Sequence, residues 1–547
     1  MKRILFIAFF LLVSANFKAQ NTVGTTFVTP EVYEGLTLIT TGTKTFLIDN
    51  CGQIINEWSS NYLPGNAVYL MPNGKLLRAG RVMTGSSVSM GGAGGIIEIF
   101  DWDGNLEWSY LVNDQNKRQH HDVYPMPNGN ILILVATVMS QQEAFDAGRD
   151  PNFLPDGRLY NEQIIEVEPI GTNQANIVWE WNIKNHLVQD FDNSKENFGV
   201  ISGTPEKLDI NFLNGGDGSE NWLHFNSIQY DANVDQIVIS SRNLSEIYII
   251  DHSTTTQEAA GSTGGTYGKG GDFLFRWGNP QAYQQGTELD RKLYGQHYPH
   301  FIKPGLIDEG KIILFNNGFG RTPKFSEVMI IDPPESTDGV YVKQSGLPFG
   351  PASADYVYSD LSEFPSPFFS SIVSGAQRLP NGNTLVCEGR TGEVFELNQN
   401  DEIVWSYINP FDSNTDASVN QGDPPSTSNL LFRATKYSLS YSAFDNKTLT
   451  AGLPIEGNPD VSNCNSILSQ QDFEITKAKV YPVPASNTIN ITSETDFDKG
   501  FIFNVLGNKV LEFQYRNQID VSSLNSGIYV LKLSNAKQSY TTKIIIK

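Results

Sequence analysis

Seven histidines are the scarce reactive side chains of this 547-residue chain, and three of them recur at matching places. His121 lies six residues before Pro127, in the run His120-His121-Asp122-Val123-Tyr124-Pro125. His224 precedes Phe225-Asn226-Ser227-Ile228, and His297 precedes Tyr298-Pro299-His300-Phe301. Each stands at the start of a strand-like run, and Asn66 and Ser374 take the equivalent position in two others. A second set is basic: Arg81, Arg242, Arg321 and Arg390 each follow a further strand-like run. Imidazole near neutral pH serves as nucleophile, base or donor. Guanidinium grips sulfate, phosphate or carboxylate through a planar fork. His121, His224, His297 and His300 are therefore the candidate catalytic groups, and Arg321 is one of four arginines that could hold an anion beside them. His120, Asn226, Arg242 and Arg390 are the candidates for holding an anionic substrate, although any one arginine could pair with a neighbouring carboxylate instead. His186 and His252 lie in loop-like sequence and receive no role. No spacing of Cys with His suits a metal, and no cofactor is expected.

The elements that must position these groups announce themselves by repetition. Met71-Pro72-Asn73-Gly74, Met126-Pro127-Asn128-Gly129 and Leu379-Pro380-Asn381-Gly382 are near-copies, each between two strand-like runs. Asn-Gly is a strong hairpin signal because both residues tolerate positive φ. A hairpin recurring over such a length implies radial or stacked repetition. Third strands are expected at 45–48, 96–100, 163–167, 246–250, 327–331 and 393–397, which predicts six blades of a β-propeller. Fourth strands carry Trp in five repeats; in the fifth, which lacks it, residues 340–342 are expected to close the blade. Those Trp residues read as packing between blades. The first repeat, beginning near Leu36, is short of an inner strand, and residues 430–442 could supply it and so close the ring. Residues 411–429 read as a surface loop. Counted along the inner strands, the Pro-Asn-Gly turns mark the back of the ring. The His and Arg positions then gather at its front.

The net charge of −22 argues against nucleic-acid or anionic-membrane partners. A local His and Arg cluster can still draw a small anion. Residues 1–20 read as a signal peptide: Lys2-Arg3, then an apolar stretch over 4–13, then a small-residue end near Ala19. No later run is long enough to cross a bilayer as a helix. Export permits a disulfide among the three cysteines Cys51, Cys387 and Cys464. Pairing Cys51 with Cys464 would tie the ends of a closed ring, and two other pairings are possible. The composition shifts after a linker at 466–478: residues 479–547 read as short alternating strands of a small β-sandwich. The propeller itself spans 26–465.

Two resemblances follow. The Tyr481-Pro482-Val483-Pro484-Ala485-Ser486-Asn487 opening, the Ser526-Gly527-Ile528-Tyr529 segment and the basic end resemble the C-terminal sorting domain of the bacterial type IX secretion system. That implies an encounter with the secretion machinery and a secreted or surface location. The runs 120–130, 222–228, 240–247 and 375–385 look like bacterial arylsulfotransferases, six-bladed enzymes that move sulfate between phenols. The resemblance implies a channel His that attacks the sulfuryl group of a phenolic sulfate and passes it to an acceptor phenol. By position, His224, His297 and Arg321 match the family's sulfate-binding His, His and Arg. The family's nucleophilic His falls after that Arg, where this chain reads Phe369-Ser370-Ser371-Ile372-Val373-Ser374-Gly375. His121, His297 or His300 must then act in its place, or Ser371 or Ser374 with a neighbouring base, or transfer is lost. Two other readings compete: a non-catalytic propeller that binds a sulfated or other anionic ligand, and, ranked well below, a quinone-dependent dehydrogenase.

Overall fold

Each of the three Pro-Asn-Gly turns places its glycine at positive φ (82° at Gly74, 91° at Gly129, 87° at Gly382), the conformation a tight hairpin turn requires. The strands they join recur throughout a computed structural model that describes residues 21–469, 478–493, 497–505, 508–535 and 539–547. The expected signal peptide at 1–20 and residues 470–477 of the expected linker lie outside the described residues. The chain is all-β and divides into two compact units between Cys464 and Asn465.

Among the described residues, unit 1 contains six antiparallel sheets of four or five strands. The first sets Thr435–Ser438 beside Gly35–Thr41, Lys44–Ile48 and Ile54–Ser59. The second comprises Pro64–Leu70, Leu76–Arg81, Gly95–Phe100 and Leu106–Leu111, and the third is built on Lys117–Pro125, Ile131–Ser140, Arg158–Ile170 and Gln174–Asn182. The fourth runs Phe225–Asp231, Gln236–Ser241, Glu246–Asp251 and Phe275–Trp277. The fifth runs His297–Phe301, Ile312–Asn316, Glu327–Ile331 and Tyr356–Tyr358. The sixth runs Gly375–Arg378, Thr384–Glu388, Glu393–Leu397 and Ile403–Ile408, with Gly24–Val28 added outside. All six expected third strands are third strands. The late segment pairs Thr435 to Leu38 and Ser438 to Gly35, so a strand from the chain's far end completes the first sheet. Gly24–Val28 reciprocates on the last sheet, an exchange the sequence pattern did not reveal.

One expected strand is wrong. Residues 340–342 do not close the fifth sheet; Val340–Tyr341 folds back on Glu335–Thr337 around Asp338-Gly339, with Gly339 at φ 74°. Tyr356–Tyr358 pairs with Val328, Met329 and Ile330 instead. The local turn captures the nearer apolar pair before the sheet edge can. Within 411–429, Phe411–Asp412 and Ala417–Ser418 form a short hairpin.

Fourth-strand tryptophans latch five of the six sheets to the next, all but the fifth. The indole N–H of Trp58 donates to Asp101 O at 2.8 Å, and that of Trp108 to Gln174 O at 2.9 Å. Trp181 reaches Gly271 O and Trp277 reaches Pro351 O, each at 2.8 Å. Trp405 returns to Asn50 O at 2.7 Å, from the last sheet to the first. A buried indole must satisfy its N–H, so each ring fixes a neighbour as well as filling space. Cys51 and Cys464 are joined by a disulfide across 413 residues of sequence, and Cys387 is a buried free thiol.

Innermost strands of the sheets meet through a buried polar cluster. Arg433 donates to Asp122 Oδ2 at 2.9 Å and to the Tyr69 hydroxyl at 2.7 Å. Gln229 donates to the same hydroxyl at 2.7 Å, and the Arg433 guanidinium lies 3.9 Å from the Tyr298 ring centroid. Five elements thus share one internal plug. In unit 2, the sheets Ala478–Tyr481, Thr488–Ser493, Gln518–Asp520 and Lys499–Asn504, Lys509–Gln514, Gly527–Ser534, Ser539–Ile546 share a core that includes Ile489, Ile502, Leu531 and Ile544.

Candidate active site

Left-handed backbone marks the start of the innermost strands. Asn66 (φ 88°), His121 (φ 50°), His224 (φ 50°), Tyr298 (φ 54°) and Ser374 (φ 87°) all lie there, four of them six residues before a proline (Pro72, Pro127, Pro304, Pro380). Register shifts follow at the same place, between Pro64 and Val68, Gln119 and Val123, Phe225 and Ser227, and His297 and His300. Such bulges bend a strand and re-aim its side chains, and recurring non-glycine positive φ is strain held by surrounding structure. The equivalent of His121 in the fifth sheet is Tyr298. His297 stands one residue earlier, in the place His120 holds in the third sheet.

Four imidazoles nevertheless gather. The His121 and His224 ring centroids are 4.7 Å apart, and those of His120 and His121 are 5.3 Å apart with Nδ1 to Nδ1 at 3.0 Å. His120 Nε2 lies 2.9 Å from Glu162 Oε2, a short contact poorly aligned for a hydrogen bond. Glu162 Oε1 accepts the Phe225 N–H at 3.0 Å. His224 Nδ1 receives the Asn221 side-chain nitrogen at 2.7 Å, which leaves its Nε2 as the protonated, donating atom. His297 Nδ1 meets Asn317 Oδ1 at 2.7 Å. The orientation of Asn317 is fixed, since its amide nitrogen donates to Ser370 O at 2.7 Å and Val373 O at 2.9 Å. His297 therefore carries its proton on Nδ1 and presents a lone pair at Nε2.

Burial sets the charge of these rings. It pushes His121 and His224 well below the ordinary 6.5, helped at His121 by the other histidines and at His224 by Arg242. Burial, then the Arg242 charge, bring His297 down to about 3. Arg242 itself stacks 4.3 Å from the Phe319 ring centroid and donates to Asn243 Oδ1 at 3.2 Å. No carboxylate among the described residues stands within ion-pair distance of it. It borders a pocket of about 370 Å³ with Trp222, Arg291, Gly295 and Phe319. A glycine loop covers the rings: a Cβ at Gly92 would lie 2.2 Å from His121 Nε2, and one at Gly91 3.6 Å from His224 Cε1.

The remaining expected residues lie as follows. Arg321 donates to Glu327 at 2.8 Å and to Phe325 O, with its guanidinium 3.3 Å from the Phe325 ring centroid. Arg390 and Arg81 are exposed. Asn226 is buried and ties Gln296 O at 2.8 Å. His300 belongs elsewhere: three residues along its strand it has crossed the plug, and it lines a cavity of about 800 Å³ at the turn end. Ser374 donates to Ser370 Oγ at 2.8 Å and accepts from Gly389 N–H at 3.0 Å, with no imidazole in contact. Sequence reasoning missed Asn221, Asn317 and Glu162, which orient the rings, and Arg433, which arrives on the closing segment. Only the run Gly91-Gly92-Ala93-Gly94-Gly95 carried a readable signal, of close backbone approach.

Comparison with known proteins bears on the chemistry. Residues 24–428 match the family described as Arylsulfotransferase (ASST), and residues 479–547 match the Secretion system C-terminal sorting domain. The sorting domain marks the chain for the type IX machinery and for secretion or the cell surface; no helix among the described residues is long and apolar enough to cross a membrane. A curated relative, beta-agarase D of Zobellia galactanivorans, is 40% identical over 72 residues, 13% of this chain and 15% of its own length. The chain thus spans under a sixth of that relative. Among solved structures, a protein of unknown function from Bacteroides caccae aligns over 74% of this chain and 98% of its own at 10% identity and a TM-score of 0.39. A putative 6-phosphogluconolactonase from Bacteroides fragilis covers the same shares at 10% identity and a TM-score of 0.33.

Proposed function

The chain belongs to the arylsulfotransferase family, and from that premise we propose that it transfers a sulfuryl group from a phenolic sulfate ester to an acceptor phenol, with His297 as nucleophile. On this reading the six sheets are blades of one propeller around a channel, and unit 2 is a small sandwich. The observation that carries the reaction is Arg242, a half-buried cation beside His121, His224 and His297 with no carboxylate within ion-pair distance among the described residues. Such a group needs an anion, and a sulfuryl group carries its negative charge on three oxygens.

His297 suits attack because Asn317 holds its proton on Nδ1, while burial keeps the ring neutral. Its Nε2 lone pair forms the N–S bond as the aryl S–O bond breaks, and that electron pair leaves on the phenolate. The acceptor, as phenolate, then attacks sulfur; the N–S bond breaks and neutral imidazole returns. The proton lost by the acceptor balances, through solvent, the one gained by the departed phenol. Arg242 and the Nε2–H of His224 hold the sulfuryl oxygens as charge shifts during both steps. Phenol or phenolate enters only as substrate.

Incubation of the full chain with 4-nitrophenyl sulfate, with and without phenol, tests this. Phenol-dependent nitrophenolate release that disappears in His297→Ala is expected. Release that survives in His297→Ala but not in His121→Ala would move the nucleophile to His121, and no release with any phenol would sink the transfer reading.

A further inference from the structure

The innermost strands also frame the cavity of about 800 Å³ at their turn end, beyond the plug and on the far side from Arg242. Six tyrosines line it, at positions 69, 124, 230, 298, 437 and 441, and their rings approach one another. Centroids lie 5.8 Å apart for Tyr69 and Tyr124, 6.4 Å for Tyr124 and Tyr230, and 4.9 Å for Tyr437 and Tyr441. The volume falls in the range of small-molecule sites, and the lining is the aromatic, sparsely polar kind they use. We infer that this cavity binds an uncharged aromatic molecule bearing a hydroxyl group, which donates its hydrogen bond to His300.

Three observations select that chemistry. His300 Nδ1–H donates to Tyr298 O at 3.2 Å, so Nε2 is left as an acceptor in a half-buried ring lining the cavity. Burial holds that ring neutral, with its pKa down at about 3, so it accepts rather than donates at physiological pH. The charges of the lining and its ion-pair partners sum to zero: Lys75 meets Glu107 at 2.6 Å, Arg378 meets Asp308 at 2.9 Å, and Lys303 and Asp231 add one of each sign. The one lining cation without an ion pair among the described residues is the exposed Lys303, so an anion would find no free guanidinium fork here, in contrast to Arg242. Flat rings instead find tyrosine faces and edges at stacking distance.

Titration of the full chain with 2-naphthol, followed by calorimetry, tests the inference independently of turnover. Binding that persists in Arg242→Gln is expected. It should weaken about tenfold, the loss of one hydrogen bond, in His300→Leu and be restored by His300→Gln, whose carbonyl can accept. Ala232→Trp, which fills the cavity from its exposed rim without disturbing the core, should weaken it as much. Equal affinity for 2-methoxynaphthalene would overturn the hydroxyl assignment. Tighter binding of methyl glucoside would make the cavity a sugar site. Loss in Arg242→Gln with none in His300→Leu or Ala232→Trp, or no binding at millimolar concentration, would overturn the site itself.

Discussion

At the start of the innermost strands, imidazoles 120, 121, 224 and 297 crowd under a glycine loop beside an unpaired Arg242; at the other end, six tyrosines surround an open space whose rim charges cancel. The same strands build both ends, so the difference lies in backbone and not in fold. At the start, bulges and positive φ break the alternation and turn unlike residues towards one point. Towards the turns no further register shift interrupts these strands, period two holds, and Tyr69, Tyr124 and Tyr230 turn their rings into the open space. The imidazole cluster is built on irregular backbone, whereas the aromatic lining draws on the regular stretches and takes only Tyr298 from a positive-φ position. The plug of Arg433, Asp122, Tyr69 and Gln229 keeps the two apart.

The largest expected effect breaks that separation. Asp122→Asn leaves the buried Arg433 charge without its partner, and should lower stability by about 3–5 kcal/mol in denaturant titration. Asp122→Asn with Arg433→Met should recover most of it, because the stranded charge is then gone. Arg242→Gln comes next. It should keep the fold and cost about 10² to 10³ in kcat for nitrophenolate release, the usual cost of one oxyanion donor. Arg321→Gln should cost far less, because that guanidinium is already spent on Glu327 and Phe325. If the two variants lose equally, the comparison between a free and an engaged arginine fails.

How far the sequence led depends on whether the signal was local. The six third strands and the tryptophan strands were legible because turn chemistry and apolar runs lie within a few residues of one another. The exchange of Gly24–Val28 onto Ile403–Ile408 was not, since nothing near residue 24 names a partner some 380 residues away. The clustering of His121, His224 and His297 could be counted from the turns, but the count placed His300 with them. A strand crosses from one end to the other in a few residues, so a three-residue step carried His300 past the plug. Arg321 was chosen over Arg242 by position in a motif; only Glu327, six residues on, reveals that Arg321 is engaged.

Titration sharpens the contrast further. His297 has a pKa of about 3 when folded against 6.5 ordinarily, so the unfolded chain binds its proton first. Stability should therefore be full above about 6.5 and fall as pH drops towards 3, with His121, His224 and His300 acting in the same direction. Nitrophenolate release should keep its neutral nucleophile through this window until unfolding intervenes. His252, assigned no role from sequence, behaves oppositely. Burial pulls it down, but hydrogen bonds to Asp235 and Glu166 at 2.7 and 3.0 Å outweigh that and raise it to about 9. Its contribution should be complete below 6.5 and disappear as pH rises through 9. Thermal unfolding of His252→Gln should lose the alkaline limb and keep the acid one.

The smallest effect is expected at Ser374, and it decides whether a hydroxyl rather than His297 attacks the sulfuryl group in the proposed reaction. A serine nucleophile needs a base to take its proton and an open path to the substrate. The Ser374 hydroxyl instead donates to Ser370 Oγ, lies 3.3 Å from Ile372 O, and accepts the Gly389 N–H. Ser370 is likewise committed, to Ile372 O at 3.0 Å and the Arg390 N–H at 3.2 Å. Both hydroxyls shape the loop whose carbonyls orient Asn317, and through it His297. Ser374→Ala should therefore leave kcat nearly unchanged while softening that loop slightly, seen as a small fall in melting temperature. A loss of release as deep as that of His297→Ala would make the serine, not the imidazole, the group that carries the sulfuryl.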